Sequence, residues 1–329
     1  MKFNRMAWRM AACRGLAALA GAAALTSCGG GTQLVRFAPT RLIAFGDEAS
    51  VIDDTNSNAN GRKYTVNAVK TDPVSTVVTL DCKANPIWIQ VLAAAYGIVF
   101  AQCNPDALAA PAGIIRAAPL ATVADATAQI DAQASAAGFN ADDLVTVLVG
   151  TNDILAQYKQ YPALSEAQIT ASVEQAGAAL AVQVNRIGSL GGKVLISTVP
   201  DLGLTPYALA EKAAHTEIDR AALLTRLTKS FNAKLRLGLV NDGRSTGLLF
   251  TDELVQAIAK NPVTHAFINV VAAVCDPVKA PLVTACTSQT LVDAGSGETW
   301  LWADSLQLSP AGHRNLGALA AARARGNPF

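Results

Sequence analysis

Three short blocks hold the side chains best placed to do chemistry. Gly46-Asp47-Glu48 closes the apolar run Leu42 to Phe45, and Gly150-Thr151-Asn152-Asp153 closes a second run, Leu144 to Val149. Asp304-Ser305-Leu306-Gln307 stands just ahead of Pro310, where a final helix is expected. A short apolar run that stops at Gly and polar residues reads as a buried strand ending in a tight turn. In an open α/β sheet, ligands and catalytic groups collect at the carboxyl ends of strands, so Glu48 is the residue on which function turns. A carboxylate can attack a carbon centre. Paired with Asp304 at about 5 Å it would suit a retaining glycosidase. Gln307 does not titrate, however, and supplies no base to hydrolyse a covalent intermediate.

The other reactive side chains lack support. Ser50 lies two residues past Glu48, and that step along a helix turns a side chain through roughly 200°, away from the pocket. The chain has three histidines. His215 and His265 sit in no motif, and His313 reads as a histidine on the face of the last helix. The polar cluster Asp53 to Gly61 lacks the spacing of a calcium loop and is expected to be solvated. No phosphate-binding glycine loop follows a strand, so no nucleotide cofactor is expected. Of six cysteines, Cys82, Cys103, Cys275 and Cys286 form an even set compatible with three pairings. The sequence-local pairing, Cys82–Cys103 and Cys275–Cys286, is expected. With no Cys-x-x-Cys and few histidines, no metal is expected.

These blocks need a sheet to hold them. Strands are expected at 41–46, 97–102, 143–149, 193–199 and 247–251, with a small hairpin from Tyr64–Val66 and Ser75–Leu80. Helices are expected from Pro86 to Ala95, Asp125 to Ala137, Ser165 to Gly188 (with Ser165 and Gln168 as a capping box), Leu209 to Leu239 with a break near His215–Ile218, and Pro310 to about Ala324. Residues 104–122 are expected to be irregular, and 262–300 to form a long excursion. Alternating strands and helices predict a three-layer α/β/α fold around a central parallel five-stranded sheet, flavodoxin-like in layout.

The N-terminus reads differently. Lys2, Arg5, Arg9 and Arg14 precede the apolar stretch Leu16–Leu25, which is too short to span a bilayer as a helix. It ends in Leu25-Thr26-Ser27-Cys28, which resembles a bacterial lipobox. An ordinary secretory signal or a membrane anchor is the alternative. The organisation expected is a lipoprotein signal peptide over 1–27, a tether lipidated at Cys28 over 28–38, and one domain over 39–329. The protein is then placed in the bacterial cell envelope as an outer-membrane lipoprotein, held to the membrane by its lipid. Without the four leader cations, 22 basic residues face 25 acidic ones, which gives no basic surface for nucleic acid. The oligomeric state is left open.

In order and at strand ends, the three blocks resemble those of the GDSL, or SGNH, family of esterases and lipases. Trp88, Asn185–Gly191, Pro200–Pro206, Phe231-Asn232 and Phe267–Asn269 extend the resemblance over nearly the whole mature chain, most closely to an outer-membrane and autotransporter-linked branch. The resemblance implies the SGNH fold and ester hydrolysis. A serine after Gly-Asp is the nucleophile, a histidine the base, and an aspartate three residues before it the orienting acid. A serine N–H, a second-block glycine N–H and the third-block asparagine bind the oxyanion.

Residue by residue, Asp304 matches the orienting acid, and Gly150 and Asn152 match the oxyanion block. Gly113 is the nearest candidate for the second-block glycine. The nucleophile position holds Glu48 and the base position Gln307. Glu48 is therefore expected to fill the oxyanion hole itself, accepting from Asn152 and backbone N–H groups, with Gln307 donating to Asp304 or Glu48. Three outcomes follow: an impaired or inactive member that keeps a pocket for an acyl-ester or glycan ligand, a hydrolase with a rearranged site, or a structural envelope lipoprotein.

Overall fold

The computed structural model describes residues 37–53, 61–240 and 243–326. The expected leader, Cys28 and its tether up to residue 36, and most of the polar loop after Asp53 lie outside them. Five parallel strands form the central sheet: β1 (Arg41–Gly46), β2 (Gly113–Ile115), β3 (Asp143–Leu148), β4 (Lys193–Ser197) and β5 (Thr246–Leu249). Their spatial order is β2-β1-β3-β4-β5. In strands, successive side chains point to opposite faces. Ile43, Phe45, Val145, Val147, Val194 and Ile196 therefore face one way and Leu42, Ala44, Leu144, Leu148 and Leu195 the other. Both sets are buried, as the unbroken apolar runs require.

Helices α1 (Trp88–Ala94), α2 (Val123–Ala136), α3 (Thr151–Tyr158), α4 (Glu166–Ser189), α5 (Pro206–Ala214), α6 (Arg220–Gly238), α7 (Thr251–Lys260) and α8 (Pro310–Ala324) supply the outer layers. α2, α4 and α6 pack on the face of Ile43, and α1, α7 and α8 on the face of Leu42. The three-layer α/β/α architecture is as expected, and so are the Ser165–Gln168 capping box of α4 and the break between α5 and α6.

Polar side chains fix the layers where apolar packing alone leaves freedom. Arg41 and Asp143 pair in register at the starts of β1 and β3, through two hydrogen bonds of 2.7 Å. Asn232 of α6 brackets Val199, accepting from its N–H and donating to its carbonyl at 2.9 Å each. Lys63 is fully buried and donates to the carbonyls of Cys82, Ala84 and Asn85 at 2.8–2.9 Å, which pins the approach to α1.

Two expected elements are corrected. The second strand of the sheet is Gly113–Ile115, inside the stretch expected to be irregular, and not 97–102. Ile98 and Phe100 are buried, which accounts for the apolar run. Its backbone makes only an isolated bridge, Phe100 to Gly113, before Ala101–Cys103 wind into a 3-10 turn leading to the Cys82–Cys103 disulfide. The hairpin is formed by Ala68–Thr71 and Val78–Asp81 rather than by 64–66 with 75–80. Thr65 instead donates to the carbonyl of Leu308, and Val66 joins a small buried cluster with Val274 and Ala303. Within the 262–300 excursion, Asn269–Ala273 pairs in parallel with Trp300–Trp302. Its second disulfide, Cys275–Cys286, completes the sequence-local pairing.

Candidate functional site

The carboxyl ends of β1 and β3 lie side by side, with Gly46 in register with Leu148. Gly46 has φ +125°, and a Cβ there would lie 1.8 Å from the carbonyl oxygen of Leu148, so only glycine permits this exit. Gln129 of α2 holds the turn by accepting from the Gly46 N–H at 2.9 Å and donating to its carbonyl at 3.1 Å. The Asp47 side chain then caps the short 3-10 turn Glu48–Ser50 by accepting from the Ala49 N–H at 3.2 Å. Gly150 makes the matching exit from β3 with φ +129°, where a Cβ would lie 2.5 Å from the Phe231 ring, and launches α3 directly. That places Asn152 in the first turn of α3, beside Glu48.

Glu48 is 6% exposed and its carboxylate accepts three hydrogen bonds. Oε2 takes the backbone N–H of Leu120 at 2.9 Å and Nδ2 of Asn152 at 3.1 Å. Oε1 takes Nε2 of Gln307 at 3.1 Å. Asn152 also donates to the Ala121 carbonyl at 3.1 Å, which fixes its amide against the 116–122 loop. Asp304 does not receive the Gln307 amide. Its Oδ1 accepts from the backbone N–H groups of Leu306 and Gln307, at 2.8 and 2.6 Å, and so shapes the turn that presents Gln307.

The electrostatics follow from this crowding of acids. Burial, then the charge of Glu48, pushes the Asp304 carboxyl above the usual range. The same two causes, burial first, hold Asp47 well above it, and Oδ2 of Asp47 has no partner in the structure. Asp153, which accepts from the Val123 N–H at the start of α2, is raised by burial as well.

The structure does not bring Gly113 to this site. Gly113 pairs with Leu42, near the opposite end of β1. Its glycine answers a packing demand, because a Cβ there would lie 2.6 Å from the Phe100 ring. The N–H that reaches Glu48 from the neighbouring loop belongs to Leu120, at φ +59°. No sequence signal marks it, since leucine seldom adopts that backbone conformation.

Ser50 and His313 are both completely buried. Ser50 Oγ accepts from the Trp88 indole at 3.1 Å, and Nδ1 of His313 faces the Trp88 backbone N–H at 3.4 Å. Burial, reinforced by Lys63, lowers His313 to about 3. His215 lies 3.7 Å from Glu211 and Glu217, and His265 ends the 3-10 turn Pro262–His265. Among the described residues, no three His, Cys, Asp or Glu side chains are grouped to hold a metal ion. The space beside Glu48 and Gln307 amounts to about 30 Å³ and is closed by Leu202, Leu306 and Leu308. It has room for a water and not for an acyl group.

A model of the GDSL-like lipase/acylhydrolase family matches residues 79–319. The match begins downstream of Glu48 and spans the blocks of Asn152 and Asp304–Gln307. No curated protein matches the chain. Among solved structures, the chain is similar to a lipolytic protein of the G-D-S-L family from Veillonella parvula, at 11% identity and TM-score 0.42 over 86% of this chain and 96% of that one. It is similar to an acetylxylan esterase from Geobacillus stearothermophilus at 11% and 0.44, over 90% and 99%. It is also similar to a lipase from a goat rumen metagenome at 10% and 0.44, over 88% and 99%.

Proposed function

The chain belongs to the GDSL-like lipase/acylhydrolase family, and from that premise we propose that it keeps the shape of an acyl-hydrolase site while hydrolysing esters weakly or not at all. One observation carries the reading. The Asn152 amide, which the resemblance matches to an oxyanion donor, and the neighbouring Leu120 N–H both point at the resident Oε2 of Glu48. An ester carbonyl oxygen arriving there meets a carboxylate instead of free donors, so the tetrahedral intermediate loses the stabilisation that is usually the largest single contribution. Glu48 also stands at the nucleophile position and Gln307 at the base position. An amide takes no proton from a nucleophile or a water. Without nucleophile and base, only residual catalysis is left to a triad enzyme.

The rearranged alternative finds no support in the geometry. Ser50 is buried under the Trp88 indole, and His313 gains a proton only near pH 3. Because the room beside Glu48 is no larger than a water, an acyl-ester or glycan ligand is to be sought at the outer rim, where Leu120 is exposed.

The envelope location belongs to the same proposal. A positive n-region, a short apolar stretch and a lipobox-like Leu25–Cys28 support export and lipidation at Cys28. Two disulfides suit an oxidising compartment. Labelled palmitate should enter the wild-type chain and not Cys28→Ser. The activity reading is tested with p-nitrophenyl acetate. The purified protein should release nitrophenol no faster than buffer, and turnover at the rate of an active serine esterase would overturn it.

A further inference from the structure

A second cavity lies away from Glu48 and shares no lining residue with that site. It has a volume of about 660 Å³ and opens between α1, the 97–103 segment and α8. Ligand pockets span roughly 300–1,000 Å³ and are mostly apolar with a few placed polar groups. Val91, Ala94, Ile98 and Phe100 line this one. Gln90 is the uncharged polar side chain of the wall, and its amide is engaged at both ends: Oε1 accepts from the Ile87 N–H and Nε2 donates to the Cys82 carbonyl, each at 3.0 Å. Cys103 is tied in its disulfide. Apart from its cations, the side chains of the wall are therefore apolar or already engaged.

Two cations complete the lining, Lys83 before α1 and Arg314 on α8, with side chains 55% and 36% exposed. Long basic side chains lay their methylenes along apolar surface and keep the charge in water. Lys83 pairs with Asp106 and Arg314 with Glu298. Both acids stand outside the cavity, 73% and 61% exposed. Exposed pairs of this kind contribute little, so an incoming anion can take their place.

An open apolar groove whose charged lining residues are two partly exposed cations suits a molecule that is all chain at one end and anionic at the other. We propose that this cavity binds a single-chain fatty carboxylate, with its tail between α1 and α8 and its carboxylate against Lys83 and Arg314. The site is independent of the chemistry at Glu48.

The test uses the intact protein and dansyl-undecanoate as a fluorescent probe. Saturable binding at one probe per chain, displaced by laurate, is expected. Ala94 and Ala318 line the cavity and are exposed, so Ala94→Trp/Ala318→Trp fills it without entering the core and should weaken binding about tenfold or more. Lauryl alcohol should displace the probe less well than laurate. Lys83→Gln and Arg314→Gln should each weaken laurate about two- to fivefold, the scale of an exposed ion pair, and leave the alcohol unchanged. Absence of saturable binding, wild-type affinity in the double tryptophan variant, or equal affinity for alcohol and acid would each overturn the proposal.

Discussion

Nε2 of Gln307 donates to Oε1 of Glu48 at 3.1 Å, joining two residues 259 positions apart in the chain. The resemblance assigns these two positions to the nucleophile and the base. Each supplies what the other needs: a buried carboxylate gains a donor, and a neutral amide gains an acceptor.

That contact makes the two residues one energetic unit. Glu48→Ala and Gln307→Ala should each lower stability, and the double variant should lose less than their sum, by about 0.5–3 kcal/mol. Urea unfolding of the four proteins measures the coupling. Strict additivity would mean that the contact contributes nothing.

Glu48 also adds to the shifts of its acidic neighbours. The Asp304 carboxyl is raised by burial first and by Glu48 second, so Glu48→Gln should lower it, as read by NMR titration of the side-chain carboxyl. The sign for stability follows. A raised folded-state pKa means that Asp304 holds a proton the unfolded chain has released. Its favourable contribution is complete below about 3.8 and is lost as pH rises through the folded value. Glu48→Gln should therefore shrink that pH-dependent loss.

His313 acts in the opposite direction. Its pKa falls from 6.5 to about 3 through burial, with Lys63 adding to the effect. Between those values the unfolded chain binds a proton that the folded chain refuses, so stability is lost as pH falls. The slope is at most about 1.4 kcal/mol per pH unit. His313→Leu should flatten the decline of Tm between pH 6.5 and 5 relative to wild type. An unchanged slope would show that this histidine is not held neutral.

Much of this arrangement is legible in the sequence, for physical reasons. Runs such as Leu144–Val149 announce a strand covered on both faces, and Gly46 and Gly150 announce exits that a side chain would block. The meeting of Glu48 with Asn152 follows once both are placed at the ends of adjacent strands. What stays hidden depends on tertiary contacts. Leu120 reaches Glu48 through its backbone, which carries no residue signature. Gly113 looks like a site glycine but serves the Phe100 ring. Lys63 reads as a surface lysine until three carbonyls are found around its ammonium. The 97–102 run fails as a strand because burial and pairing are different demands, and its apolar residues answer only the first.

We propose that the site's shape survives and its reaction does not. The direct measurement is p-nitrophenyl acetate hydrolysis by Glu48→Ser/Gln307→His, with Tm and circular dichroism confirming the fold. Freed of the carboxylate, Asn152 and the Leu120 N–H can receive an oxyanion, and Asp304 stands three residues before the restored base. The double variant should gain turnover at least about 10²-fold above wild type, the scale of a working oxyanion hole, and Glu48→Ser alone should gain far less. A folded double variant no faster than wild type would contradict it.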